Sequence, residues 1–313
     1  MIKEYFGGSM FVWLMTVGCF DSIEHEKEVI AVDQNARIDK LEQKIRLLEA
    51  KLSQNLEACS VLELNEDGDI VIEDRNLRIL GSQEGKGNIF VGVQASANTQ
   101  SSIVLGGYND AVGRHHFIQG VDHIVEGDRT FVSGEAHEVY SDGAVVVGGD
   151  HSTVEGASGA ILGGSKHFVD GAYGTVVGGI ENHASGRFST VGAGHNNKAF
   201  GETATSWGGG GNRSFGVGSA ILGGFANTAE GNSAVIVGGS FNLTHGQFNA
   251  LVLGGTRNQA DGTHSVVMGG TDNTDKGEGS IIVGGVQNLN LGSFSSVLGQ
   301  FEQVQTSSYY SMQ

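Results

Sequence analysis

Proline is missing altogether from the 313 residues, and cysteine occurs only at Cys19 and Cys59. Without proline there is no collagen triple helix, and two thiols imply no disulfide framework within one chain. Positive charge is also scarce: 18 Lys plus Arg stand against 35 Asp plus Glu, a formal net charge of −17. Phosphate neutralisation requires the opposite balance, so nucleic acid is excluded as a partner and anionic membrane surfaces are disfavoured. The N-terminal apolar run, Met10 to Gly18, is far shorter than the roughly 20 residues of a bilayer-spanning helix. What is abundant is glycine, 52 residues, in a chain that is still 39 % hydrophobic and therefore has something to bury. A disordered Gly/Ser linker lacks such hydrophobes. Glycine scattered through ordinary helices and strands would cost about 0.5–1 kcal/mol each relative to Ala. Periodic placement at turns avoids that cost.

Residues 1–19 read as a targeting segment. The apolar run has the length of a signal-peptide core, and Thr16-Val17-Gly18-Cys19 resembles a bacterial lipobox, in which Cys19 is the lipidated residue. Lipoboxes usually carry Leu where this chain has Thr16, so two readings stand: lipidation at Cys19, or a signal that is simply cleaved. Either way the expected setting is the cell surface or the exterior, with an N-terminal lipid anchor as the sole membrane attachment.

Residues 20–59 are expected to form a coiled-coil stalk. Ile38, Leu41, Ile45, Leu48 and Leu52 are spaced 3, 4, 3, 4, an a/d seam. About three heptads are marginal for one helix in water, so either partner chains or a neighbouring folded block on which the helix packs is implied. Ile at a with Leu at d favours two strands, whereas Arg37 to Glu42 resembles a trimerisation motif in which Arg37 covers the seam and pairs with Glu42; chain number is left open by these residues. Residues 60–88 read as a β neck, with Val61–Leu64 and Asp69–Glu73 flanking a turn at Asp67-Gly68 and a third candidate strand at Asn76–Leu80.

Residues 89–300 repeat. Aligned on the second glycine of an apolar-Gly-Gly phrase, the register residues begin Val93, Gly107, Gly120, Gly134 and Gly149 and end at Gly285 and Gln300. Spacings are 14, 13 and 14, then settle at 15 with one step of 16. A second glycine column follows seven residues later, so each unit has two short arms. Three residues after the register stands Asn182, Asn197, Asn212, Asn227, Asn242, Asn258, Asn273 and Asn288, with His123, His137 and His167 in earlier repeats. Asn tolerates left-handed turn geometry and hydrogen-bonds backbone or its own copies above and below.

Three residues before the register the column is apolar except at Ser206 and includes Phe117 and Phe131; the next column, including Ile118 and Val132, is apolar except at Gly192. Adjacent strand residues face opposite sides, so both faces of this arm must lose water. A roll has one interior, and the other face predicts an intermolecular interface. Oligomerisation follows from the pattern; the number three does not. Trp207, beside Ser206, either fills space left by Gly192 in the core or marks an adhesive spot.

A unit such as Asn227 to Gly239 resembles the Hep/Hag head repeat of trimeric autotransporter adhesins. The resemblance, over about Ile89 to Gln300, implies an all-β, left-handed parallel β-roll solenoid, a homotrimer, and attachment to cells, matrix or glycans without enzymatic activity. Those adhesins end in a β-barrel anchor, and Phe301 to Gln313, read as a C-terminal tail or cap, has no such strands. A structural spacer or coat fibre, or a phage-type tail fibre, is the alternative.

Chemistry is sparse. His115, His116, His123, His137 and His167 are the densest histidine group; one per chain near a threefold axis is a metal reading, while alignment with the Asn column makes them turn residues, and no metal ligand is assigned. Gly208 to Gly211 lacks the Lys-Ser/Thr ending of a phosphate loop, and no acidic pair is framed by apolar residues as glycoside hydrolysis would require. No catalytic residue and no cofactor are expected.

Overall fold

The computed structural model describes residues 37–51, 63–64, 70–71, 88–92 and 96–308. The lipobox Cys19, the last seam residue Leu52, Cys59, the Asn76–Leu80 segment and Val93 lie outside the described residues. The chain divides into two units, Met1–Arg78 and Ile79–Gln313. In the first, residues 37–51 are one α-helix, exposed throughout. Its Arg, Lys, Leu, Glu and Gln content gives it good helix propensity, and Glu42 pairs with Arg46 one turn on at 3.8 Å. The seam residues Ile38, Leu41, Ile45 and Leu48 are all at least half exposed. Glu63 and Leu64 pair antiparallel with Val71 and Ile70; the expected turn at Asp67-Gly68 lies outside the described residues.

The second unit is an all-β parallel solenoid of about fourteen turns, built from two fifteen-stranded sheets. We call the sheet running from Ile89–Val91 to Ser296–Leu298 the front sheet, and the one from Ser96–Gln100 to Val304–Gln305 the back sheet. Each coil contributes one short strand to each, paired in parallel with the next coil, as in Thr175↔Thr190 and Val176↔Val191. Stacked at about 4.8 Å per rung, the unit is roughly 67 Å long.

The core lies between the sheets and is asymmetric. The front sheet supplies β-branched side chains, among them Ile118, Val146, Ile161, Ile221, Ile236 and Ile282, all fully buried. The back sheet supplies Val125, Val139, Val154 and Val169 in early coils and then mostly small residues, Ala184, Ala199, Ser214, Ala229 and Ala260. Large residues facing small ones fill a thin layer at interior density. At Ser206 and Ser214 both sides are polar and small, and there the hydrophobic core divides into two clusters.

The register of the early coils departs from the sequence reading. Val104 pairs with Ile118, Ile118 with Val132 and Val132 with Val146, so Ile118 and Val132, not Phe117 and Phe131, are the inward residues. Those coils are uniformly 14 residues long, and their register glycines are Gly92, Gly106, Gly120 and Gly134 rather than Val93 and Gly107. The doubled glycine at 106–107 invites alignment on the wrong member. A one-residue slip exchanges the two faces of a strand, which is why the misaligned columns traded Phe117 for Ile118.

Glycine is required where the stacked corners touch backbone to backbone. Gly194 has φ +93°, and a Cβ built on it would stand 2.1 Å from the carbonyl oxygen of Gly209 in the next coil. At the other corner a Cβ on Gly201 would lie 2.1 Å from Gly216 O.

Candidate interaction surface and internal ladder

The outward side of the front sheet carries two adjacent columns. One runs Ile103, Phe117, Phe131, Val145, Ala160, Thr175, Thr190, Thr205, Ala220, Val235, Leu251, Val266 and Ile281. The second contains Leu105, Gln119, Ser133, Val147, Leu162, Val177, Gly192, Trp207, Leu222, Val237, Leu253, Met268, Val283 and Leu298. Leu162 is 49 % exposed, Leu222 50 % and Leu298 61 %. In the single chain this face is therefore a long, largely apolar stripe, interrupted by Gln119, Ser133 and Gly192 in one column and by Thr175, Thr190 and Thr205 in the other. Nothing within one chain covers it among the described residues.

Trp207 belongs to this face, 55 % exposed, and not to the core. It does compensate for Gly192: a Cβ on Gly192 would meet the Trp207 ring at 2.8 Å, so the indole lies flat over the glycine one rung below. The core half of the sequence reading is thereby corrected: the tryptophan covers Gly192 from outside.

The Asn column forms a buried ladder. Asn197 N donates to Asn182 Oδ1 at 2.9 Å, Asn212 N to Asn197 Oδ1 at 3.1 Å, Asn227 N to Asn212 Oδ1 at 3.0 Å, and Asn242 N to Asn227 Oδ1 at 3.0 Å. Asn258, Asn273, Asn288 and then Gln303 continue it. The amide nitrogen of Asn197 donates in turn to Ala193 O and Gly209 O at 2.9 and 3.1 Å. Each Asn thus closes its own corner and holds the next coil, and all are fully buried. Left-handed geometry is not their reason for being there. The positive φ falls on the preceding residue, as at Glu181, Asn196 and Phe241.

His123, His137 and His167 occupy the same buried column. His137 N donates to His123 Nδ1 at 3.1 Å, Ser152 N to His137 Nδ1 at 3.2 Å, and Asn182 N to His167 Nδ1 at 3.1 Å. An Nδ1 that accepts a backbone N–H carries no proton, so each ring is neutral with hydrogen on Nε2. The rings of His123 and His137 stack at 5.3 Å. Nε2 of His137 and of His167 approaches corner carbonyls, Gly148 and Gly149 or Gly163 and Gly179, without a well-formed hydrogen bond, unlike the Asn amide it replaces. Burial lowers the pKa of His116, His123 and His167, and burial with the neighbouring His123 pushes His137 down to about 4. His115 lies at a positive-φ corner. Among the described residues no His, Cys, Asp and Glu group is arranged to hold a metal ion, and no helix is long and apolar enough to cross a membrane.

Sequence reasoning missed the inward back-sheet column, because its members share no chemical class. Its final rungs are polar. Asp275 accepts from the Ser280 hydroxyl and from Gly277 N at 3.3 Å, and Asn290 Oδ1 repeats the pattern with Ser295 Oγ at 2.6 Å and Gly292 N at 3.2 Å. Burial pushes the Asp275 carboxyl up to about 7, and its Oδ2 and the Asn290 Nδ2 have no partner.

The chain matches no protein-family model and no curated protein.

Proposed function

We propose that the chain is a surface-displayed, non-enzymatic fibre of the trimeric adhesin type, attaching to cells, matrix or glycans. In this reading three copies of the solenoid, each a left-handed roll, pack their front sheets about a common axis. The helix at 37–51, continued to Leu52, is the coiled-coil stalk, and a signal or lipid-modified Cys19 directs the chain to the cell surface. The observation that carries the reading is the apolar outer face of the front sheet, far longer than the patches that isolated soluble domains expose.

The exposed seam Ile38, Leu41, Ile45 and Leu48 supports the same assembly, since a lone amphipathic helix of this length is marginal. Attachment is tested by coating beads with the purified full chain and measuring retention on cultured cells, on extracellular matrix and on glycan arrays. Retention above uncoated beads on any of these supports attachment; a folded trimer retained on none overturns it. A second reading, a structural spacer or coat fibre, is favoured by the uniform 15-residue register of the coils between Ala160 and Ala234. Deleting two or three of those coils in register would then shorten the fibre with no functional loss.

A further inference from the structure

We infer that the outward face of the back sheet carries a binding site for an acidic polysaccharide, centred on Lys198, Arg213, Phe200 and Phe215. This inference rests on the attachment reading and names its ligand. Lys198 and Arg213 are direct partners on neighbouring strands, and residues directly opposite in a sheet lie about 5 Å apart, where like charges destabilise the pair. In the repeat region Arg114, Arg129, Arg187 and Arg257 each pair with a carboxylate. Lys198 and Arg213 have no acidic partner among the described residues. In a chain of net charge −17, two adjacent cations left without an anion are the exception.

Two residues along the same strands and on the same face stand Phe200 and Phe215, whose rings stack at 4.9 Å and 10°. Phe215 is 43 % exposed. His183 and Phe168 are the preceding rungs of the cation column itself; His183 pairs with Asp170 at 2.9 Å and lies edge-on to Phe200 at 5.4 Å and 4.9 Å from Phe168. A pair of cations beside a stacked pair of rings, whose faces meet each other and whose edges turn outward, presents oxyanion donors next to an apolar strip. An acidic sugar matches it, with a carboxylate or sulfate between Lys198 and Arg213 and its C–H groups against the phenyl edges. Arg provides the forked donor pair suited to such an oxyanion. The surface is an open sheet with no enclosing wall, which suits an extended polymer. Nucleic acid fits less well, because its bases need free ring faces to stack on, and the faces of Phe200 and Phe215 are turned to each other.

The test is calorimetric titration of the full chain with polygalacturonate, heparin, neutral dextran and a single-stranded oligothymidylate at physiological salt. Binding of polygalacturonate or heparin at least about tenfold tighter than dextran is expected, lost about tenfold in Lys198→Ala/Arg213→Ala and in Phe200→Thr/Phe215→Thr. Lys166→Ala/Lys276→Ala removes the same charge elsewhere and is expected to change binding by less than about twofold. All these side chains point outward, so melting temperature without ligand is expected to hold or rise in the cation variant. Equal binding of dextran, equal losses in both cation variants, preference for the oligothymidylate, or no polysaccharide binding would each overturn the inference. A full chain that is retained on cells or matrix yet binds neither acidic polysaccharide sinks this site alone; one retained on nothing sinks the attachment reading as well.

Discussion

Asn182 N donates to Nδ1 of His167 at 3.1 Å, and that bond makes a neutral imidazole part of the backbone scaffold of the next coil. Protonating Nδ1 would remove the acceptor and bury a charge. Because the folded-state pKa values of His116, His123, His137 and His167 are lowered, the unfolded chain binds more protons than the folded one in acid. Stability is then complete above the ordinary pKa of 6.5 and falls as pH drops from 6.5 toward about 4. The slope is up to about 1.4 kcal/mol per pH unit for each histidine. Urea melts at pH 7.5 and pH 5 are expected to show a lower midpoint in acid.

His167→Asn separates this effect from general acid sensitivity. Asn makes the same acceptor bond and adds two short carbonyl bonds, as Asn197 shows, whereas Nε2 of His167 approaches the carbonyls of Gly163 and Gly179 without a well-formed hydrogen bond. The variant is expected to be more stable by about 1 kcal/mol at neutral pH and to lose less between pH 7.5 and pH 5, read from the same melts.

Asn197→Ala breaks the ladder in its middle. It orphans the buried N–H of Asn212 and the carbonyl of Ala193 and takes one of two donors from Gly209 O, which keeps His195 N, and a loss of about 2–4 kcal/mol is expected. Hydrogen exchange is expected to rise first in the coils on either side of Asn197.

At Asp275 the sign is opposite. Its folded pKa of about 7 lies above the ordinary carboxylate value, so the folded chain holds the extra proton and stability declines as pH rises from about 3.8 to about 7. The same pocket geometry around Asn290 accepts an amide. Asp275→Asn is therefore expected to stabilise the solenoid by roughly 2–4 kcal/mol at pH 8 and to leave it nearly unchanged at pH 3.5, as thermal melts at the two pH values will report.

Much of the fold was legible because one column is chemically uniform: Ile161, Val176, Val191, Ile221 and Ile236 recur every 15 residues or a multiple of it, and the strands they mark are the front sheet. The back-sheet column was not, since Ala184, Ser214, Thr244, Asp275 and Asn290 are alike only in fitting a narrow space. The face of Phe117 was lost for a different reason, a glycine phrase that offers two alignment points in a 14-residue coil. The Asn ladder was legible as hydrogen bonding between copies, while its burial became visible only with the corners closed. Lys198 and Arg213 were hidden by composition, because a chain so acidic overall gives no hint that two of its few cations are neighbours.

The account depends on the front sheet's outer face being covered by other copies of the chain. Sedimentation equilibrium of the full chain tests this most directly, alongside Leu162→Glu/Leu222→Glu, which alters only outward side chains. A mass near three chains of 32.6 kDa, about 98 kDa, falling toward one chain in the variant, is predicted. A folded, soluble single chain of 32.6 kDa at micromolar concentration would contradict it.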